Sequence, residues 1–484
     1  MSSNYREQWT SVGGHFPSHW QFFKLEELLE NTKGIAVGVM YPGDHTAEGI
    51  PLIKVGDVKD GYIASQPSFF ISPEVDEEYK RTRLNGTELL ITLVGNPGDC
   101  VVVEPYMAGW NAARALAVVR LKDTGLREWL KYILLSKPAK HLIDARLNTT
   151  VQKTLNLKDI RELGIPIPPK HERDMIIKNI SAIEQKKIVN SDTNQTLEQM
   201  AQALFKSWFV DFEPVKAKIA VLEAGGSQED ATLAAMTAIS GKDADALAVF
   251  EREHPEQYAE LKATAELFPS AMQESELGEI PVGWLVKPLG DSLEIKRGGS
   301  PRPIKDFIRP TGYPWVKIAD ATASTSPFLF KTSEFIKEEG LKKTVYLRKG
   351  DLILSNSATP GLPKFLQLDA CIHDGWLYFP KISNYTDTYL YFLFLKIRRE
   401  LVAKGNGSVF TNLKTDILRE HLAVLPEYKI VNRFSVLALS YLDAIKANEL
   451  TINSLSCLRD TLLPKLLSGE ISLPEAEQII SEEA

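Results

Sequence analysis

The side chains best suited to chemistry in this 484-residue chain are cationic and amide groups on short, stiff loops. The stretch KRGGSPRPIKDFIRP carries Lys296, Arg297, Arg302, Lys305 and Arg309 among glycines and prolines. Such a loop can rest its cations on phosphates or present a guanidinium to a guanine edge. A second cluster, YKRTR, holds Lys80, Arg81 and Arg83, and Asn111 and Arg114 follow in GWNAAR. Asparagine can pair bidentately with adenine and arginine with guanine, and Asn356, in DLILSNSATPG, is counted with these residues. A single cluster of this kind is more often a solvated surface. Two of them, in corresponding copies of a duplicated module, favour nucleic acid.

The patterns of catalysis are missing. The sequence has no GxxxxGK[ST] phosphate loop and no GxGxxG dinucleotide fingerprint. VGNPGD, around Asn96, approaches the Asn-Pro-Pro-aromatic run that grips a flipped adenine in methyltransferases, but Gly98 follows Pro97 and a turn is expected. His15 and His19 have ligand-like spacing, yet Pro17 keeps them off one helix face, so no metal site is expected. Glu260-Leu261-Lys262 echoes a nuclease Glu-x-Lys without an upstream Pro-Asp carboxylate and reads as a solvated helix face. Cys100, Cys371 and Cys457 are scattered and form neither a disulfide framework nor a zinc pattern. The densest apolar run, YLYFLFL from Tyr389 to Leu395, is too short to span a bilayer, and no apolar leader follows Met1. A cytoplasmic protein is expected.

The net charge of −7 argues against nucleic acid only until it is located. Residues 216–279 carry 13 acidic and 5 basic side chains, a net of −8, and residues 470–484 carry 5 acidic and no basic ones, a net of −5, which leaves +6 on the rest. The acid belongs to an insertion and a tail, and the remaining modules are mildly basic.

These loops are positioned by a module that occurs twice. FPSHW at Phe16 matches IPVGW at Ile280, IPLIKVGDV at Ile50 matches YPWVKIADA at Tyr313, and ELLITLVGNPG at Glu88 matches DLILSNSATPG at Asp351. NTTVQKTL at Asn148 resembles NGSVFTNL at Asn406. Within each copy, PLIKVGDV, ELLITLV and RALAVVRL, and then WVKIADA, DLILSNS and GWLYFP, read as short buried strands. WLKYILLSKPAKHLIDA and YLYFLFLKIRRELVAK read as the helices that follow them.

Each copy then closes on a long amphipathic helix, expected over about Glu172–Phe212 and Lys429–Leu467. Alternating steps of four and three residues pick out Ile176, Ile180, Ile183, Lys187, Asn190, Asn194, Leu197, Ala201, Leu204 and Trp208 in the first. In the second they pick out Phe434, Ala438, Tyr441, Ile445, Asn448, Ile452, Leu455, Arg459, Leu462 and Leu466. An apolar seam at this spacing buries against another helix, with asparagines Asn190 and Asn448 at matching positions. About 40 residues at 1.5 Å each make a rod of roughly 60 Å. The expected fold is α+β: two globular domains separated by two long antiparallel, coiled-coil-like helices, with pseudo-two-fold symmetry from an internal duplication. The expected boundaries are 1–168 for the first globule, 169–213 for the central helix, 214–279 for an acidic helical linker, 280–427 for the second globule, 428–469 for the C-terminal helix and 470–484 for an acidic tail.

TLEQMAQALFKSWFVDFEPVKAK from Thr196, SELGEIPVGWLVKPLGD from Ser275 and LRDTLLPKLLSGEISL from Leu458 resemble the specificity subunits of type I DNA restriction-modification systems. The resemblance extends over nearly the whole chain, including the order globule, helix, globule, helix. It implies a non-catalytic subunit with two target recognition domains, each reading half of a bipartite double-stranded DNA target, and a helical spacer that sets the unread gap. Methylation and restriction subunits are the implied partners, and S-adenosylmethionine, ATP and Mg²⁺ are expected in them, with no cofactor in this chain. Phe205, Trp208 and Phe209, expected as an exposed aromatic helix end, together with Leu462 and Leu466, are the implied partner-binding residues. The acidic insertion departs from the simplest form of the family. A free-standing DNA-binding regulator and a self-contained nuclease or methyltransferase are the alternatives.

Overall fold

In a computed structural model of the chain, residues 2–59, 61–63, 67–147, 153–405 and 413–483 are described. Residues 148–152 and 406–412 of the paired loops starting at Asn148 and Asn406 lie outside that set. The chain forms two units, residues 1–188 with 453–484, and residues 189–452. Each unit therefore holds one globule and a stretch of both long helices, which run Lys170–Phe209 and Tyr428–Ser468.

Unit 1 is built on a four-stranded antiparallel sheet in the order Ile35–Val37, Leu116–Val119, Leu89–Thr92, Cys100–Val102. Beside it Ile50–Ile53 pairs parallel with Asn111–Ala112 and antiparallel with Phe70–Ile71. All four residues of Leu89–Thr92 and of Leu116–Val119 are buried, which is why these strands read as continuous apolar runs. WLKYILLSKPAKHLIDA forms two helices, Arg127–Leu135 and Lys137–Asp144, not one. Pro138 has no N–H to continue the first helix, and the extended Ser136 caps the second by accepting from Ala139 N at 3.4 Å. Ile176, Ile180 and Ile183 of the first long helix are buried in one core with Leu455, Leu462 and Leu466 of the second. At the edge of that seam Arg459 Nη1 donates to Glu184 Oε1 at 2.9 Å.

Unit 2 repeats the scheme with two five-stranded sheets. The parallel pair recurs as Trp315–Cys371 and Val316–Ile372. WVKIADA is strand only as far as Val316; Asp320 accepts from Lys317 N at 2.9 Å and starts the short helix Ile318–Thr322. Asp387–Gly405 is a single helix with Tyr389, Tyr391, Phe392 and Phe394 buried. The long helices run antiparallel here. Asn448 Nδ2 donates to Asn194 Oδ1 at 2.8 Å, and further along the Phe205 ring lies 5.5 Å from Phe434. Asn448 thus pairs with Asn194, not with its repeat counterpart Asn190, because antiparallel helices bring together residues at equal levels, not at equal repeat positions.

Buried polar groups gather where the globule of unit 2 meets its long helices. Lys364, 2 % exposed, donates to Ser324 O at 2.9 Å and to Ser326 O. Burial pushes its ammonium down from the ordinary 10.5 to about 8. Nearby Glu198, which accepts from Tyr391 Oη at 3.0 Å, and Glu449 are both raised by burial.

The acidic insertion folds as four helices, Glu213–Glu223, Gln228–Ser240, Ala244–Glu253 and Pro255–Leu267, around Ala235, Met236, Leu247 and Ala265. It is more than a polar linker. Val215 and Phe268 enter the core of unit 2, Phe268 stands perpendicular to Trp208 at 5.0 Å, and the buried Lys218 donates to Phe268 O at 2.6 Å. Phe205, Trp208 and Phe209 are consequently 3 %, 0 % and 6 % exposed. The corresponding end of the second long helix, with Leu462 and Leu466, is covered in unit 1 by the helix Leu473–Glu483 through Leu473, Ala476, Ile479 and Ile480. All five residues expected to bind partners are buried in their own chain, which corrects that expectation.

Candidate nucleic-acid interface

Both globules hold their loops in one hydrogen-bonded frame. In unit 1 the Thr92 hydroxyl donates to Asn96 O and accepts from Asp99 N at 2.9 Å, and Gly98 N donates to Thr92 O at 2.8 Å. In unit 2 the Ser355 hydroxyl donates to Thr359 O and accepts from Leu362 N at 2.9 Å, and Gly361 N donates to Ser355 O at 2.8 Å. VGNPGD is therefore a turn with a structural counterpart in the other copy. A second pair of turns leaves the sheet at Gly38, whose N–H donates to Leu116 O at 3.1 Å, and at Gly298, whose N–H donates to Trp376 O at 2.8 Å. A Cβ on Gly38 would lie 2.1 Å from Ala112 O, and one on Gly298 would lie 2.2 Å from His373 O. Only glycine permits either approach.

On this frame unit 2 carries the cationic loop. Asp374 organises it: the carboxylate accepts from Ser300 Oγ at 2.6 Å and from Arg302 Nη2 at 3.1 Å, and its backbone oxygen accepts from Arg297 Nε. Burial, the largest influence on Asp374, acts upward, but the Ser300 hydrogen bond and the charges of Arg302 and Arg297 outweigh it and hold the carboxylate below its ordinary range. Arg302 keeps 74 % of its side chain in solvent despite that ion pair. Lys296, paired with Glu294 at 2.8 Å, and Lys305 and Arg309 are exposed as well. The structure thus gathers Arg297 and Arg302 on one clamp, with Lys305 and Arg309 following along the same segment. Asn356 belongs elsewhere: it is 3 % exposed and its Nδ2 donates to Asp374 O at 3.2 Å, so it props the clamp from within and does not face a base. Neighbouring His373, held neutral-leaning by burial, lies 5.9 Å from the Trp315 ring.

Unit 1 departs further from the sequence reading. Asn111 is fully buried, donates to Asp76 Oδ1 at 2.9 Å and accepts from Thr82 Oγ1 at 2.9 Å. It cannot present its amide to adenine. Arg83 donates to the same Asp76 at 2.6 Å and to Glu77 at 3.0 Å, Lys80 pairs with Glu77 at 2.9 Å, and Arg81 donates to Lys33 O at 3.3 Å. Two of these cations, Lys80 and Arg83, are thus paired with carboxylates of the short helix Pro73–Glu78, and Arg81 is bonded to backbone. Arg114 is different: it is exposed and has no ion-pair partner among the described residues. Beside it on the Gly38 turn stand the exposed Met40 and Tyr41, which carry no charge to mark them in the sequence. Among the described residues no group of three or more His, Cys, Asp or Glu could hold a metal, and no helix is long and apolar enough to cross a membrane.

Comparison with known proteins assigns the duplication. Residues 17–199 and 281–453 each match the type I restriction modification DNA specificity domain. The chain is 31 % identical over 371 residues to the HindI type I restriction enzyme specificity subunit of Haemophilus influenzae, covering 72 % of this chain and 78 % of that one. It is 24 % identical over 482 residues to the MjaIX specificity subunit of Methanocaldococcus jannaschii, covering 96 % of each. The crystal structure of the type I S subunit from M. genitalium aligns over 93 % of this chain and 96 % of that chain, with a TM-score of 0.47 and 13 % identity.

Proposed function

This chain belongs to the type I restriction-modification DNA specificity family, whose role is recognition and not catalysis, and from that premise we propose that its two units each read one half of a split double-stranded DNA target. The observation that carries the proposal is the frame built twice with different side chains on it: a clamped arginine loop on Gly298 and an aromatic and thioether turn on Gly38. Phosphate contacts set position and base-edge contacts set sequence, so a common scaffold with exchanged tips is what two different half-sites require. A fixed separation between half-sites calls for a stiff spacer, the role we assign to the two long helices. The chain acts in the cytoplasm and directs methylation subunits, which modify adenine, and restriction subunits, which cut. S-adenosylmethionine, ATP and Mg²⁺ belong to those partners. Since the five expected contact residues are buried, the docking surface for methylation subunits falls to apolar positions that the long helices leave open: Val189, Met200, Val436, Leu437, Leu439 and Leu450.

The test is to map N6-methyladenine in cells carrying this gene with its partner genes, and again after deleting this gene alone. A split motif that vanishes on deletion is the expected result. An unchanged methylation pattern contradicts the proposal.

A further inference from the structure

The Gly38 turn ends in a surface that packing within the chain does not account for. Tyr41 is 75 % exposed and Met40 is 40 % exposed, and Tyr41 is the most exposed large apolar or aromatic side chain among the described residues. Exposed apolar residues cost little singly, but a tyrosine and a methionine side by side on a backbone with no room for a Cβ at its root is a presented surface. Its place in the fold identifies what it faces. Val39 N donates to Ala112 O at 2.6 Å where Gly299 N donates to Ile372 O at 3.3 Å, so Met40 and Tyr41 stand where Ser300 and Pro301 stand in the other unit. Arg114, whose N–H donates to Val39 O at 2.9 Å, stands where Asp374, whose N–H donates to Ser300 Oγ at 3.3 Å, anchors the arginine loop. The two turns are one device with opposite contents. In unit 2 the cations ride on the loop after Gly298 and their counter-charge sits on the turn between Ile372 and Trp376; in unit 1 the matching turn, between Ala112 and Leu116, holds the cation, and Met40 and Tyr41 tip the loop.

Resting on the reading that each unit recognises one half-site, we propose that Met40, Tyr41 and Arg114 are the specificity-determining residues of unit 1, and that Tyr41 with Met40 contacts a thymine methyl group in the major groove. Of the base-edge groups there, the thymine C5-methyl is the one matched by an aromatic and thioether surface, and a guanidinium matches a guanine edge or an adjoining phosphate. The cluster Lys80, Arg81 and Arg83, paired with Glu77, Asp76 and the backbone oxygen of Lys33, is not the reader.

The test uses the full chain assembled with its methylation subunits and duplexes bearing the split motif that the wild-type complex methylates. Each thymine of the half-site assigned to unit 1 is replaced in turn by uracil, which removes only the methyl group. One replacement is expected to weaken wild-type binding about five- to tenfold and to leave Tyr41→Ala unaffected, while Arg114→Ala loses discrimination at a neighbouring pair. Retained discrimination at the other half-site shows that each variant is folded. If the wild-type complex is indifferent to every uracil, or if Tyr41→Ala responds as wild type does, the assignment is overturned although the split motif stands. A wild-type complex without any split motif sinks the underlying two-half reading instead.

Discussion

The two units close the ends of their long helices with different materials. In unit 2 Phe205, Trp208 and Phe209 meet Phe434, Tyr389 and Phe268, and the insertion helices lie over them. In unit 1 the equivalent level is aliphatic, Leu462, Leu463, Leu466 and Leu467, under a single helix that begins at Leu473. The turns at Gly38 and Gly298 differ just as much, yet the hydrogen bonds beneath them coincide. The lesson is that this chain holds its backbone frame constant and varies what fills the helix ends and what tips the loops. Packing there can change without altering how a loop leaves the sheet.

The comparison can be broken at the helix ends first. Trp208→Ala removes a ring with no exposure, and about 3–5 kcal/mol of stability is expected to go with it. Leu466→Ala, at the aliphatic end, is expected to cost about 2–5 kcal/mol. Denaturant melts of the purified chain measure both. Equal, small losses would show that the insertion covers Trp208 without supporting it. A proline at Leu197 or Leu455 is expected to cost about 3 kcal/mol or more by removing a helical hydrogen bond, read as lost assembly with methylation subunits.

The frame is tested next. Gly298→Val is expected to abolish discrimination at the second half-site alone and Gly38→Val at the first alone, since each side chain would collide with a backbone oxygen. Asp374→Asn is a finer cut: the Ser300 bond can persist while the ion pair with Arg302 is lost, and a severalfold loss of discrimination at the second half-site is expected, measured by competition binding.

The smallest expected effect concerns pH and has no counterpart in unit 1. Folded Lys364 loses its proton near pH 8, whereas in the unfolded chain it holds it to about 10.5. Between these values the unfolded state binds more protons, so this residue makes stability rise with pH and it stops contributing above about 10.5. In Lys364→Met that rise disappears, which melting curves between pH 7 and 10 detect.

Much of this architecture was legible in the order of residues. The seams from Ile176 to Trp208 and from Phe434 to Leu466 announce two long buried helix faces, and the repeated ELLITLVGNPG and DLILSNSATPG announce one turn used twice. What covers a seam is not written in its periodicity. An aromatic helix end reads equally as a sticky surface or as core, and Trp208 became core only because Phe268, distant in sequence, folds back onto it. Asn111 misled for a similar reason: its partner Asp76 lies 35 residues away, brought to it because Ile50–Ile53 pairs with both Phe70–Ile71 and Asn111–Ala112. In unit 1 the cations divide: Asp76 and Glu77 pair with Lys80 and Arg83, while Arg114 stays open beside the exposed Met40 and Tyr41. The close-approach glycines Gly38 and Gly298, each followed by a turn and matched in the two copies, were the available clue.

The central claim is that each unit reads its own half of the target, and methylation mapping with an Arg297→Ala, Arg302→Ala double variant tests it most directly. The account predicts a motif whose one half relaxes while the other half and the gap length stay as in wild type. Equal relaxation of both halves, or an unchanged motif, would contradict it.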